Sequence, residues 1–208
     1  MPDPPILSIR GLSRTFGKQE IVRNLDLDVS AGERVALRGP NGSGKTTVIR
    51  CITGALIPTR GAIHIEGHEA GSRAASKLVG ASLSQERSFY LRLSGRENLF
   101  FFAQLRHPTR ALASQQVDAL VEELEISHIA EKRLDRCSTG MLQQMALARA
   151  LLGTPRVLVL DEPTRSLDEG AIARLWAALD RRPGAAVLIA THRPDDLSNC
   201  NRQIDFPL

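Results

Sequence analysis

A glycine-rich segment near the N-terminus combines residue types that bind phosphate. Residues 39–46 read Gly-Pro-Asn-Gly-Ser-Gly-Lys-Thr and match the pattern G-x-x-x-x-G-K-[S/T] in full. The glycines let the backbone turn so that successive N–H groups point at phosphate oxygens. Lys45 is expected to reach the β- and γ-phosphates of a nucleotide, and Thr46 to offer its hydroxyl to Mg²⁺. The predicted nucleotide-binding residues of this segment are Gly39, Pro40, Asn41, Gly42, Ser43, Gly44, Lys45, Thr46 and Thr47.

Two acidic residues follow a short apolar run later in the chain. Val157–Leu160 runs directly into Asp161 and Glu162. A buried strand that ends in two acids delivers carboxylates to the carboxyl edge of a parallel sheet, where ligands bind in such folds. Asp161 is expected to hold Mg²⁺, and Glu162 to accept a proton from an attacking water. The pattern alone is weak, but together with the phosphate-binding loop it becomes strong.

A second anion site is predicted at the start of a later helix. The segment Cys137-Ser-Thr-Gly-Met opens an apolar helix that reaches Leu152 and is ended by Gly153. A Ser and a Gly at a helix N-terminus can bind an anion, although Ser138 also suits the ordinary role of a helix cap. One nucleotide does not need two phosphate sites in one domain, so the second site would serve a neighbouring copy.

Strands alternate with helices along the chain, which predicts an α/β fold with a mostly parallel sheet covered on both faces. The region from about 96 to 152 is mostly helical and too long for a simple crossover, so it is predicted to be a subdomain. The predicted strands are Ile6–Leu12, Ile21–Val29, Arg34–Arg38, Ala62–Ile65, Val79–Leu83, Val157–Leu160 and Ala186–Ala190; helices are predicted over about 45–53 and near Ala171–Leu179.

The composition is typical of a single soluble globular domain. The 208 residues are 42% hydrophobic and 24% charged, with a net charge of +4. No apolar run is long enough to span a bilayer, and no secretory signal is recognisable, so a cytoplasmic location is expected. Three distant cysteines argue against a zinc ribbon and a disulfide framework. The scattered basic excess favours a solvated surface over a nucleic-acid or membrane surface.

The order of these motifs resembles that of the ATP-binding subunits of ABC transporters, over almost the whole chain. The family signature is commonly Leu-Ser-Gly-Gly-Gln, where this chain has Cys137, Ser138, Thr139, Gly140 and Met141. The Ser-Thr-Gly-Met form resembles that of ABC-2-type exporters. The resemblance implies a P-loop NTPase core with a mostly parallel sheet, an N-terminal antiparallel β subdomain and an inserted α-helical subdomain at about 86–152, all within a single ATP-binding domain.

The resemblance also assigns roles to individual residues. Ser138, Thr139 and Gly140 of one subunit would meet the γ-phosphate held by the other subunit, and Thr139 adds a Cβ where the backbone nears that phosphate. Phe16 would stack on adenine, unless it is an ordinary core or strand-end aromatic.

Three further positions match family motifs. Gln85 would sense Mg²⁺ and the attacking water. Asp168 would cross the dimer interface, or alternatively would be only a charge at a helix N-terminus. His192, after the strand Ala186–Ala190, would hydrogen-bond the γ-phosphate.

The function that follows is ATP hydrolysis with Mg²⁺, with Glu162, His192, Gln85 and Lys45 as the catalytic residues. The resemblance implies two ATP-binding domains that pair head to tail around ATP, as a homodimer or alternatively with a paralogue. It also implies separate membrane permease subunits, with export as the expected direction and no nucleic-acid partner. One aromatic of Phe100–Phe102 is expected to be exposed for docking, or else all three pack inside. The main alternative is a soluble ABC ATPase that acts on ribosomes or DNA; a GTPase would need an Asn-Lys-x-Asp motif, which the sequence lacks.

Overall fold

The structure is a computed structural model that describes residues 4–83 and 88–206. In chain order its strands are β1 (Leu7–Phe16), β2 (Gln19–Val29), β3 (Arg34–Arg38), β4 (Arg60–Ile65), β5 (His68–Glu69), β6 (Val79–Ser82), β7 (Val157–Asp161), β8 (Ala186–Thr191) and β9 (Arg202–Asp205). Its helices are α1 (Lys45–Ile52), α2 (Arg73–Leu78), α3 (Gly95–Gln104), α4 (Arg110–Glu123), α5 (Ser127–Ala130), α6 (Thr139–Ala150), α7 (Glu169–Asp180) and α8 (Pro194–Ser198), with a 3-10 turn at Leu134–Arg136. Gln85 lies outside the described residues.

The central sheet is parallel, as predicted. Its strand order is β6-β7-β8-β3-β9, and every neighbouring pair runs parallel. All residues of β7 and β8 are buried, which agrees with the near-continuous apolar runs expected of strands covered on both faces. The sequence reading missed β9, because its residues are mostly polar and exposed at the edge of the sheet.

The two faces of the parallel sheet belong to two different hydrophobic cores. Leu158 and Leu160 of β7 pack with the helical region, whereas Val157 and Val159 pack with the N-terminal strands and α1. This alternation follows from the two-residue side-chain period of a strand. The sheet is therefore the layer that joins the inserted helices to the rest of the domain.

The N-terminal strands form a separate antiparallel sheet, in the order β2-β1-β4-β5. Strand β1 is longer than predicted and continues to Phe16, past a register irregularity around Gly11, whose φ is 57°. This sheet matches the antiparallel β subdomain implied by the family resemblance.

The inserted helical region is held to the parallel-sheet core by a charged contact as well as by apolar packing. Glu123, the last residue of α4, accepts two hydrogen bonds from Arg182 at 2.8 and 3.0 Å and one from Arg181 at 3.2 Å. The two arginines follow α7 and lower the pKa of the Glu123 carboxyl, the hydrogen bond from Arg182 contributing most. The ion pairs fix the end of α4 against the end of α7.

In the described parts of the chain, none of the helices is both long and apolar enough to cross a membrane.

Replacing Glu123 by Gln tests how much this contact contributes to the free energy of unfolding. Since the folded-state pKa of Glu123 is lowered, its stabilisation is present above the unfolded-state pKa near 4.5 and is lost as the pH falls through the folded-state pKa. We expect Glu123→Gln to lower the free energy of unfolding by about 1 kcal/mol at pH 7, with the deficit shrinking below pH 4.5. Urea titrations at several pH values measure this. Glu122→Gln, an exposed neighbour on α4, is the matched control; an equal loss in both variants, or a loss that does not depend on pH, would contradict the assignment.

Candidate active site

The phosphate-binding loop joins the end of β3 to the start of α1. Gly44, the residue before α1, has a φ of 106°, a conformation that other residues rarely adopt. Gly39 is required for a different reason from the one predicted: its φ is not positive, but a Cβ there would overlap the carbonyl oxygen of Phe206. Phe206 N donates to Arg38 O at 2.6 Å, so the segment after β9 lies directly against the start of the loop.

Lys45 is the first residue of α1 and its side chain is buried inside the loop. Its Nζ donates to the carbonyl oxygens of Gly39 at 2.7 Å and Pro40 at 2.8 Å. Lys45 is only 6% exposed, and its amine is held by neutral carbonyls, with no carboxylate among these partners. The loop therefore places one cation at the N-terminus of a helix, where backbone N–H groups also favour negative charge.

Thr46 and Asp161 lie together, as the sequence predicted for two Mg²⁺ ligands. Thr46 Oγ1 donates to Asp161 Oδ2 at 2.8 Å, although the two residues are far apart in the sequence. Asp161 ends β7 and is 2% exposed. A hydroxyl and a carboxylate oxygen side by side suit Mg²⁺, which is usually held by one or two protein oxygens together with phosphate oxygens and water.

Glu162 follows β7 in a strained conformation, with φ at 49°. Its backbone N–H donates to Ala190 O at 2.8 Å, which holds the residue against β8. Oε1 lies 2.8 Å from Nδ1 of His192. Glu162 Oε2 is buried and has no hydrogen-bond partner among the described residues. A buried carboxylate oxygen without a partner is poised to accept a proton or a hydrogen bond from a bound molecule.

These side chains surround one open cavity of about 370 Å³. It is lined by Ile21, Asn41, Gly42, Ser43, Gly44, Lys45, Thr46, Thr47, Asp161, Glu162 and Arg165. Arg165 was not predicted as a site residue. Its position three residues after Glu162 was the one sequence feature that pointed to it. In the structure Arg165 N donates to Glu162 O at 3.1 Å. The cavity therefore combines two cations with two carboxylates.

The predicted second anion site lies outside this cavity. Of the described lining residues none belongs to 138–140. Ser138 is the N-cap of α6, and its Oγ accepts the Met141 N–H at 3.2 Å, as predicted for a cap. Gly140 packs against the carbonyl oxygen of Ser166, which leaves no room for a Cβ. Asp168 caps α7 by accepting the Ala171 N–H at 2.7 Å. It therefore occupies the helix N-terminus, the alternative to an interface role that the sequence left open.

The aromatic residues occupy different environments. Phe16 ends β1, is 47% exposed, and has the Arg14 guanidinium 4.6 Å from its ring centre, so its predicted stacking on adenine stays a prediction. The Phe100–Phe102 triplet divides: Phe101 is exposed and meets Tyr90 edge-on at 5.0 Å, whereas the other two pack against the helical core. Of the two arrangements expected from the sequence, one exposed aromatic or three packed inside, the structure has the first.

Comparison with known proteins identifies the family to which the chain belongs. A family model described as ABC transporter matches residues 22–165. The uncharacterized ABC transporter ATP-binding protein YdbJ of Bacillus subtilis is 36% identical over 206 residues, which are 96% of this chain and 66% of that protein. A Nod factor export ATP-binding protein I of Burkholderia lata is 35% identical over 207 residues, covering 97% of this chain and 67% of the relative. The chain thus spans about two thirds of the length of these relatives.

Both transport directions occur among the relatives, since a sulfate/thiosulfate import ATP-binding protein of Thermosynechococcus vestitus is 34% identical over 84% of this chain. The solved structure of an ATP-binding subunit of an ABC transporter superposes with a TM-score of 0.88 at 27% identity, covering 97% of this chain and 85% of that one. The chain therefore belongs to the ABC transporter family, as one of its ATP-binding domains.

Proposed function

We propose that this chain binds ATP with Mg²⁺, hydrolyses it, and supplies the free energy for a membrane transporter. The observation that carries the proposal is one cavity lined by Lys45, by the Thr46–Asp161 pair and by Glu162. His192 contacts Glu162 at 2.8 Å. Each group occupies the position that its chemistry requires, and together they suit a triphosphate, a divalent cation and an attacking water. Phosphoryl transfer to water needs little beyond such positioning and charge stabilisation.

The roles of the residues follow from their contacts. Lys45 exchanges its carbonyl partners for oxygens of the β- and γ-phosphates, while the backbone N–H groups at the start of α1 hold the same anion. Thr46 and Asp161 would hold Mg²⁺, which would neutralise phosphate charge. Glu162 Oε2 accepts the proton of the attacking water, and Oε1 is held by His192. The His192 ring is 60% exposed and contacts Glu162 through Nδ1.

A second copy would complete the site. The Ser138–Gly140 segment lies at a helix N-terminus but does not line the cavity of its own chain. We propose that it covers the nucleotide held by the other copy in a head-to-tail pair, and that Asp168 lies at the interface between the copies. Loss of the terminal phosphate removes the shared negative charge, and the pair opens. This opening would be the mechanical output of hydrolysis.

A membrane permease is the proposed second partner. Tyr90, Leu91 and Leu93 before α3, and Phe101 within it, are exposed, although apolar side chains of this size usually avoid water when they cluster. The proposed occupant of this patch is a cytoplasmic segment of a permease subunit, which would place the chain at the inner face of the cell membrane. Export is the proposed direction, supported by the Ser-Thr-Gly-Met signature and by relatives named for export of Nod factor and for daunorubicin resistance.

The Glu162→Gln variant tests the proposed chemistry. Glutamine keeps the shape of the side chain but cannot accept the proton, so we expect the ATPase rate to fall about 100-fold or more, with ATP binding retained. Phosphate release measures the rate, and light scattering with and without ATP measures dimerisation. The variant is expected to form a dimer only with ATP.

Glu69→Gln, exposed on β5, is the control and should keep the wild-type rate. A Glu162→Gln variant that turns over ATP as fast as the wild type would contradict the role of Glu162. A wild-type chain that binds ATP but neither hydrolyses it nor dimerises would contradict the pairing of identical copies.

Gly39→Ala tests the packing at the start of the phosphate-binding loop. The added Cβ would overlap the Phe206 carbonyl oxygen, so either the loop or the segment after β9 must move. We expect the affinity for ATP to fall about tenfold, which corresponds to about 1.4 kcal/mol and lies within the usual cost of overpacking. Titration of a fluorescent ATP analogue measures the affinity. Gly67→Ala is the control, because an added Cβ at Gly67, in the β4–β5 turn, meets no neighbouring atom. Unchanged affinity in Gly39→Ala would show that the contact with Phe206 does not shape the loop.

A further inference from the structure

Asp196 is a buried carboxylate directly behind the hydrolytic residues. It belongs to the short helix α8 and is 1% exposed. Its Oδ1 accepts the Thr164 hydroxyl at 2.8 Å, and its Oδ2 accepts the Thr191 hydroxyl at 2.7 Å. Both hydroxyl partners are themselves buried, at 1% and 0% exposure. A fully buried carboxylate is costly unless its oxygens are satisfied, so this arrangement is specific.

The two threonines flank the two residues that the mechanism uses. Thr164 lies in the turn that follows Glu162, and Thr191 ends β8 immediately before His192. Together with the Glu162–His192 hydrogen bond at 2.8 Å, the contacts of Asp196 close a ring that joins the turn after β7 to the segment between β8 and α8.

Arg193 reinforces the same connection from the backbone side. Its N–H donates to the Thr191 hydroxyl at 3.1 Å, and its guanidinium donates to the Thr164 carbonyl oxygen at 3.2 Å. The Thr191 hydroxyl therefore both accepts and donates, which fixes its direction toward Asp196. By contrast, the His192 side chain itself is mostly exposed.

We propose that Asp196 is a positioning residue for ATP hydrolysis. It accepts hydrogen bonds from the Thr164 and Thr191 hydroxyls, which keeps Glu162 and His192 within hydrogen-bond distance. The inference rests on the proposed function for its effect on rate, but the geometric part concerns only this chain. A carboxylate accepts and cannot donate, so the Glu162 contact selects the His192 tautomer that carries its proton on Nδ1. Displacement of catalytic groups by about 1 Å can cost about 100-fold in rate.

The experiment combines steady-state kinetics with ¹⁵N NMR of the histidine rings, on the full chain. In Asp196→Ala we expect the ATPase kcat to fall about 10- to 100-fold with little change in KM, and His192 to shift toward the Nε2-protonated tautomer. Asp196→Asn reaches both threonines, since a hydroxyl can donate to the amide oxygen and accept from the amide nitrogen. It is expected to keep kcat within about threefold and to keep the tautomer. His192→Ala assigns the resonance.

Asn98→Ala is the matched control for stability alone. Asn98 is equally buried and donates or accepts three hydrogen bonds inside the helical region, to Tyr90 and Ser94. Its loss should lower the melting temperature without moving the His192 resonance. Thr164→Val removes one of the two hydrogen bonds to Asp196 and should give an intermediate rate. It replaces Asp196→Ala in the experiment if that variant does not fold.

Non-additivity provides the decisive comparison. If Asp196 acts through Glu162 and His192, adding Asp196→Ala to a His192→Ala chain should reduce the rate far less than it does in the wild type. Full additivity, or an Asp196→Ala protein with the wild-type rate or the wild-type tautomer, would overturn the inference. A wild-type chain that hydrolyses no ATP would refute the proposed function instead, and the tautomer measurement would still decide whether Asp196 positions His192.

Discussion

The parallel register of β3, β7 and β8 places three distant parts of the sequence at one edge of the sheet. Arg38, the residue before the phosphate-binding loop, pairs with Thr191, and Asp161 pairs with Ala190. The loop, the two acids and His192 therefore leave the sheet side by side, although they come from the N-terminal, central and C-terminal parts of the chain. A slip of one residue in β7 would turn its buried side chains to the opposite face and move Asp161 away from Thr46. The two hydrophobic cores oppose such a slip, because each accepts only one of the two alternating sets of side chains.

Two of the five non-glycine residues with positive φ in the described parts of the chain lie just after β7. Glu162 and Ser166 both have positive φ, at 49° and 65°, without being glycine. Conformations of this kind cost roughly 1–3 kcal/mol each and persist only where the surroundings enforce them. Here the surroundings do so: the Glu162 N–H bonds to Ala190 O, Gly140 packs on the Ser166 carbonyl, and Gln143 Nε2 donates to Pro163 O at 3.2 Å. The strain aims the Glu162 side chain into the cavity instead of along the strand.

The sequence predicted the parts of the site that depend on local motifs, but only some of the contacts between distant residues. The glycine-rich motif and the apolar run before Asp161 were enough to place Lys45, Thr46 and Asp161 together, because strand–loop–helix geometry and parallel pairing leave few alternatives. The reason for Gly39 could not be predicted, since it depends on Phe206 and on an edge strand whose polar residues resemble a loop. Asp196 was also missed: in a polar helical turn an aspartate looks like an ordinary N-terminal charge, and only the tertiary structure shows its two buried threonine partners.

The segment 161–168 connects the chemistry to the proposed contact between copies. Glu162 and Arg165 line the cavity, Ser166 meets the N-terminus of α6 through Gly140, and Asp168 caps α7. The Ser166 carbonyl packs tightly on Gly140 at the start of α6, and the Asp168 carboxylate caps α7. Because closely packed groups leave no free space, a displacement of the Glu162 backbone would shift the start of α6 or the start of α7. In a head-to-tail pair these same helix ends would face the partner's nucleotide. Each copy would then sense the state of the other through one short and strained piece of chain, which gives a physical reason for placing the hydrolytic acid and the interface residues so close together in the sequence.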